Sequence, residues 1–169
     1  MSRTVTFLVF LALLFTLSQS RLLNPLPQTF RSLKINTTTA TIQTLQRGCT
    51  YIVEIVTSCG SPVYTRDHIS IAFGDAYNNQ VYVPRLDAVS SSTFKRCSKD
   101  TFQISGGPCL HQLCYFYVKR SGYDGWKPET VTVYGNNIGT VTFTYNRFVP
   151  GDVWYGFNLC NDRVSASST

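Results

Sequence analysis

Six cysteines, two histidines and nine acidic residues are the side chains of this 169-residue chain best suited to hold a metal, attack a carbon or move a proton. The cysteines are Cys49, Cys59, Cys97, Cys109, Cys114 and Cys160, and no two of them form a Cys-x-x-Cys pair. With only His68 and His111 beside them, a Cys/His zinc site has little support. Nucleophilic catalysis needs a Ser or Cys next to a base that a third group orients. His68 precedes Ile69 in an alternating run, so it should face solvent, and His111 sits in a cysteine-containing loop before a strand. No Gly-x-Ser-x-Gly elbow or metal-binding His motif occurs. Glycosidase chemistry needs two facing carboxylates, and the acids are scattered along the chain. The expected class is therefore not an enzyme.

Calcium takes six to eight oxygens, usually several from carboxylates. Asp67 and Asp75 bracket one alternating run and Asp124 lies in a loop. If one end of the fold joins Asp67 and Asp124, they are the calcium candidates. The competing reading gives Asp75 and Asp124 to turns, where the side chain bonds its own backbone. The expectation is no cofactor. The basic residues are densest at Lys95-Arg96, Lys99 and Lys119-Arg120. They form either a solvated surface or a surface for an anionic partner, such as acidic lipid headgroups or cell-wall pectin. The segment from Arg120 to Pro128 is the most distinctive loop. Gly122 and Gly125 let it turn sharply, and Tyr123 and Trp126 are amphipathic rings suited to an interface. Lys119, Arg120, Tyr123, Trp126 and Lys127 are the expected partner or lipid contacts. The competing reading folds Trp126 back to cap the core.

The elements that must position these residues are short and alternating. Residues 1–20 carry Arg3, then an apolar run from Val5 to Leu17, then Ser18 and Ser20 at the −3 and −1 positions of a cleavage after Ser20. This is the pattern of a secretory signal peptide, and the run is shorter than the roughly 20 residues that span a bilayer. Cleavage leaves 14 basic and 9 acidic residues. In a secreted chain, an even number of cysteines reads as up to three disulfides. Asn36-Thr37-Thr38 is a glycosylation sequon in an exposed Thr-rich stretch. Residues 21–47, with Pro25 and Pro27, read as an irregular N-terminal arm, and 161–169 as a flexible tail. Between them lie eight period-two runs, around 51–55, 68–73, 81–83, 101–105, 114–118, 130–134, 140–145 and 153–159. They are rich in β-branched and aromatic residues, and turn signals such as Gly106-Gly107-Pro108 and Pro150-Gly151-Asp152 separate them. Cys114 to Val118 is apolar on both faces, as a central strand would be. Trp154 falls opposite Val153 and Tyr155, so it is either exposed or covered by the arm. The expected fold is all-β, an antiparallel sandwich or barrel of about eight strands.

These segments resemble the plant embryo-specific protein family, small secreted proteins with one PLAT-like (lipoxygenase-homology) domain. The resemblance runs through 48–160. It is carried by Cys49–Cys59, Thr65–Asp75, Asp100–Gly106, Ser121–Glu129 and Asp152–Cys160. It implies a β-sandwich of two four-stranded sheets without a catalytic site, in a family whose wider members dock on membranes or proteins, some with calcium. Thr65-Arg66-Asp67 stands where PLAT domains carry Gly-Thr-Asp, and Gly125-Trp126 matches their Gly-Trp step. As in PLAT-like sandwiches, the strands opened by Cys49 and ended by Cys160 are expected to be neighbours, pairing Cys49 with Cys160. Cys109 then pairs with Cys114 and Cys59 with Cys97. The expected function is a non-catalytic, secreted, extracellular (apoplast or cell-wall) module of seed or embryo that binds a protein or an anionic surface, not nucleic acid. The alternatives are a lipid-surface module and a secreted hydrolase or enzyme inhibitor.

Overall fold

The computed structural model describes residues 25–35, 48–86 and 93–160. The expected signal peptide, Asn36, the 161–169 tail and most of the 21–47 arm lie outside the described residues. The described residues form nine strands: β1 (Gln28–Phe30), β2 (Cys49–Thr57), β3 (His68–Gly74), β4 (Gln80–Val83), β5 (Lys99–Gly107), β6 (Tyr115–Ser121), β7 (Pro128–Gly135), β8 (Gly139–Thr144) and β9 (Trp154–Asn158). They build a five-stranded sheet in the order β1-β9-β6-β3-β4 and a four-stranded sheet in the order β5-β2-β7-β8. All neighbours in both sheets are antiparallel. The all-β sandwich is the expected one, with every alternating run in place as a strand.

Period two explains the packing. In β2, Tyr51, Val53 and Ile55 are at most 1% exposed, while Ile52, Glu54 and Val56 between them are half-buried. Ile69, Ile71 and Phe73 of β3, Phe116 and Val118 of β6, and Val131 and Val133 of β7 complete the centre of one core between the sheets. Phe73 stacks on Phe116 with centroids 5.6 Å apart. β6 lies in the middle of its sheet, and its outward Tyr117 is buried as well. That burial needs a cover, and the arm supplies it.

The described part of the arm departs from the irregular reading. Gln28, Thr29 and Phe30 pair with Gly156, Tyr155 and Trp154, adding a ninth strand at the edge of β9. The two prolines precede the strand, where their missing N–H groups cost the ladder nothing. Phe30, Leu33 and Ile35 then pack on Ala72, Tyr117 and Trp154, so Trp154 is covered by the arm.

The disulfides are Cys49–Cys109, Cys59–Cys97 and Cys114–Cys160. Cys59 joins Cys97 as expected, but the other two pairings are corrected. β2 and β9 lie in different sheets, so the ends carrying Cys49 and Cys160 do not meet. Cys49 instead faces Gly107 of β5, two residues before Cys109. Cys114 accepts a hydrogen bond from the Leu159 N–H at 2.8 Å, beside Cys160. Two disulfides therefore staple the two ends of the β2–β5 ladder, and the third closes the end of β6–β9.

Candidate functional site

Three connections meet at one end of the sandwich: β2–β3, β6–β7 and β8–β9. Asp67 is the residue that fastens them. Its carboxylate is 4% exposed and pairs with the Arg120 guanidinium, whose side chain is 12% exposed. It also accepts the Asp124 and Gly125 N–H groups, each at 3.0 Å. Arg120 donates onward to the carbonyls of Gly122 and Val149, both at 3.0 Å. One buried ion pair thus holds all three connections. Burial pushes the Asp67 carboxyl up, but the Asp124 N–H, Arg120 and the Gly125 N–H outweigh it and hold it below the usual range. Gly122 is required here: its φ is +145°, and a Cβ would lie 2.0 Å from Asp67 Oδ1.

A second pair lies outside the first. The Arg66 side chain grips both Asp124 oxygens, at 3.1 and 3.3 Å, and its backbone N–H adds a bond at 2.8 Å. That contact lowers the Asp124 carboxyl. Asp67 and Asp124 do come together, as calcium binding would need, but N–H donors and guanidinium groups fill both carboxylates. No buried side-chain oxygen among the described residues lacks a partner, and no cluster of metal-ligating residues occurs among them. Both carboxylates are thus engaged by cations and N–H donors of the chain itself. Asp75 serves its turn, accepting the N–H groups of Tyr77, Asn79 and His111 at 2.9 to 3.1 Å.

The expected contact residues divide. Tyr123 stands free at the loop tip, at 105% relative exposure. Trp126 is fully buried, 5.1 Å from the Phe94 ring, with its indole N–H on Thr57 Oγ1 at 3.1 Å. It is a core residue and not a contact. Arg120 is committed to Asp67. Lys119 and Lys127 are half-buried, and the Lys127 amine lies 3.4 Å from where a Gly60 Cβ would be. His68 and His111 are exposed, with His111 against the Tyr77 ring at 5.2 Å.

The sequence reading missed the neighbours of Tyr123. Val63 and Tyr64 of β2–β3 are 62% and 51% exposed, and Phe148 of β8–β9 is 55% exposed. Arg66 lies 5.6 Å over the Tyr64 ring while it holds Asp124, the residue after Tyr123. Val149, the residue after Phe148, donates to the Trp126 carbonyl at 3.0 Å. Exposed Arg66, Lys95, Arg96 and Arg147 share this end, and Arg96 is tied to the Val63 and Ser61 carbonyls. Three exposed aromatic rings and one exposed valine thus lie on connections that meet at one end of the sandwich, together with exposed basic side chains, and Asp67, Arg120 and Trp126 tie those connections together.

A family model described as Embryo-specific protein 3 (ATS3) matches residues 36–160. The chain is 61% identical over 121 residues to Embryo-specific protein ATS3A of Arabidopsis thaliana, covering 72% of this chain and 67% of that protein. It is 51% identical over 149 residues to ATS3B of the same plant, covering 88% of this chain and 75% of that protein. Among solved structures it is similar to coral 8R-lipoxygenase, described as having calcium activation via a C2-like domain. The TM-score is 0.54 at 20% identity, over 64% of this chain and 17% of the lipoxygenase. That likeness is one of fold, the PLAT-like sandwich.

Proposed function

The chain belongs to the embryo-specific protein 3 family, and from that premise we propose that it is a non-catalytic, secreted interaction module of the seed or embryo. It binds an extracellular partner through the tip formed by Val63, Tyr64, Tyr123 and Phe148. The observation that carries this is the contrast between tip and base. Large apolar side chains are held out in water, although the loops bearing them are locked by a buried ion pair and a buried tryptophan. A fold that only needed to close this end would turn such rings inward. Loops already tied down at their base also lose little backbone entropy on binding. Three disulfides support an oxidising compartment. No helix among the described residues is long and apolar enough to cross a membrane.

The test is a Tyr64→Ala, Tyr123→Ala, Phe148→Ala variant. It should melt like the wild type and lose cross-linking to secreted seed proteins. A variant that captures the same proteins in the same yield sinks the reading. A second reading, docking on an anionic lipid surface, is favoured by the basic rim: apolar insertion and charge attraction then act together. Sedimentation with phosphatidylcholine vesicles, with and without phosphatidylserine, separates the two.

A further inference from the structure

The outer face of the five-stranded sheet holds a second apolar cluster, away from the main core. Ala72, Tyr117 and Trp154 form its centre, and Tyr82 and Tyr115 pack at its margin. A sheet face turned to water ordinarily alternates to polar residues; this one is polar where Ser70 pairs with Lys119 but apolar over Ala72, Tyr117 and Trp154, and the chain covers that part with its own arm. The Phe30 ring meets Tyr117 edge-on at 4.8 Å, and Leu33 and Ile35 complete the cover. Arg31, Ser32 and Lys34, which lie between them, are exposed. Only three residues of ladder, Gln28 to Phe30, tie the arm to β9.

We propose that this edge and the aromatic face beside it form a peptide-binding site whose resident arm is a self-ligand. Its external ligand is an extended segment of another protein, with an aromatic residue followed at the third and fifth positions by aliphatic ones. The arm itself displays the chemistry: backbone pairing to a sheet edge gives affinity, and spaced side chains in pockets give selection. The site cannot stand empty at low cost. Release of the arm bares the β9 edge, an invitation to pairing, together with the Trp154 and Tyr117 rings. A tethered occupant competes at an effective concentration on the order of millimolar. An external strand therefore binds with its affinity reduced by the fraction of arm released. This predicts an inverse relation: the weaker the arm, the tighter the external ligand.

The experiment titrates a labelled synthetic peptide of residues 25–35 with the full oxidised chain. The Phe30→Ala, Leu33→Ala variant should bind it about tenfold more tightly than the wild type, and a peptide with alanine at the Phe30 position should not bind. Leu33→Ala alone, which removes one half-buried side chain, should give a smaller rise in the same direction. No rise in either variant, with thermal melting that shows the core intact, overturns the proposal. So does a weakened variant that forms a dimer the peptide cannot dissociate, which would mean that arms exchange between copies.

Discussion

Trp126 Nε1 donates to Thr57 Oγ1 at 3.1 Å across 69 residues of chain, and both residues are fully buried. This bond fixes the β6–β7 loop against the end of β2, so the ring serves the core while the loop tip serves the surface. Trp126→Ala should cost about 3–5 kcal/mol, the usual range for deleting a buried aromatic. Trp126→Phe should cost less, chiefly through the unpaired Thr57 hydroxyl, about 1–3 kcal/mol. Tyr123→Ala should change stability by about 0.5 kcal/mol or less. Urea unfolding of the three variants checks this ordering, and a Trp126→Ala midpoint equal to that of Tyr123→Ala would refute it.

The Asp67–Arg120 pair should be costly to break. Asp67→Asn leaves the Arg120 charge without its partner and weakens the hold on two backbone N–H groups, with an expected cost of about 3–5 kcal/mol. The pH dependence follows from the lowered Asp67 carboxyl. A depressed folded-state pKa gives stability that is fully present above the unfolded value, near 4, and is lost as pH falls through the folded one. Mildly acidic surroundings should leave the latch intact, and destabilisation should begin only below about pH 4. Unfolding midpoints of wild type and Asp67→Asn against pH should converge in acid. Curves that stay parallel down to the lowest pH would exclude this role.

The strands were legible because β2, β3, β7 and β9 each alternate over several residues, and a one-residue slip would turn Val53 or Ile71 to solvent. β1 was not. Three residues are too few for a period, and its partner β9 lies more than 120 residues downstream. The disulfides failed for a related reason. Alternation shows which side of a strand is buried but not which strands are neighbours, and only the sheet order places Cys49 beside Cys109. At the tip, local chemistry marked Tyr123, Trp126 and Lys127 alike. Burial of Trp126 depends on Phe94 and Thr57, which are distant in sequence, as are the exposed partners Tyr64 and Phe148.

Cross-links between neighbouring strands should stabilise in proportion to the chain they close. Cys114 and Cys160 are 46 residues apart. In the chain-entropy account, closing that loop contributes about 4 kcal/mol. The Cys114→Ser, Cys160→Ser variant should lose an amount of that order, with β9 and the arm on its edge the first region to exchange amide hydrogens. Peptide mapping of the non-reduced wild type should recover Cys49 linked to Cys109. Recovery of Cys49 linked to Cys160 would overturn both the pairing and the sheet order.

Tyr117 gives a readout of the arm. Its side chain is buried under Phe30, and desolvation pushes its phenol up to about 12, against a hydrogen bond with Asn158 that pulls it down. A raised folded-state pKa gives stability that is fully present below the unfolded value, about 10, and is lost as pH rises from there through the folded one. The protein should therefore weaken above about pH 10, and Tyr117→Phe should weaken less over that window. In an ultraviolet titration of tyrosinate, the component absent from Tyr117→Phe should lie near 12 in the wild type. Phe30→Ala removes the ring 4.8 Å away, admits water to the phenol and should move that component toward 10. A component that does not move in Phe30→Ala would show that the sheet, and not the arm, keeps Tyr117 dry.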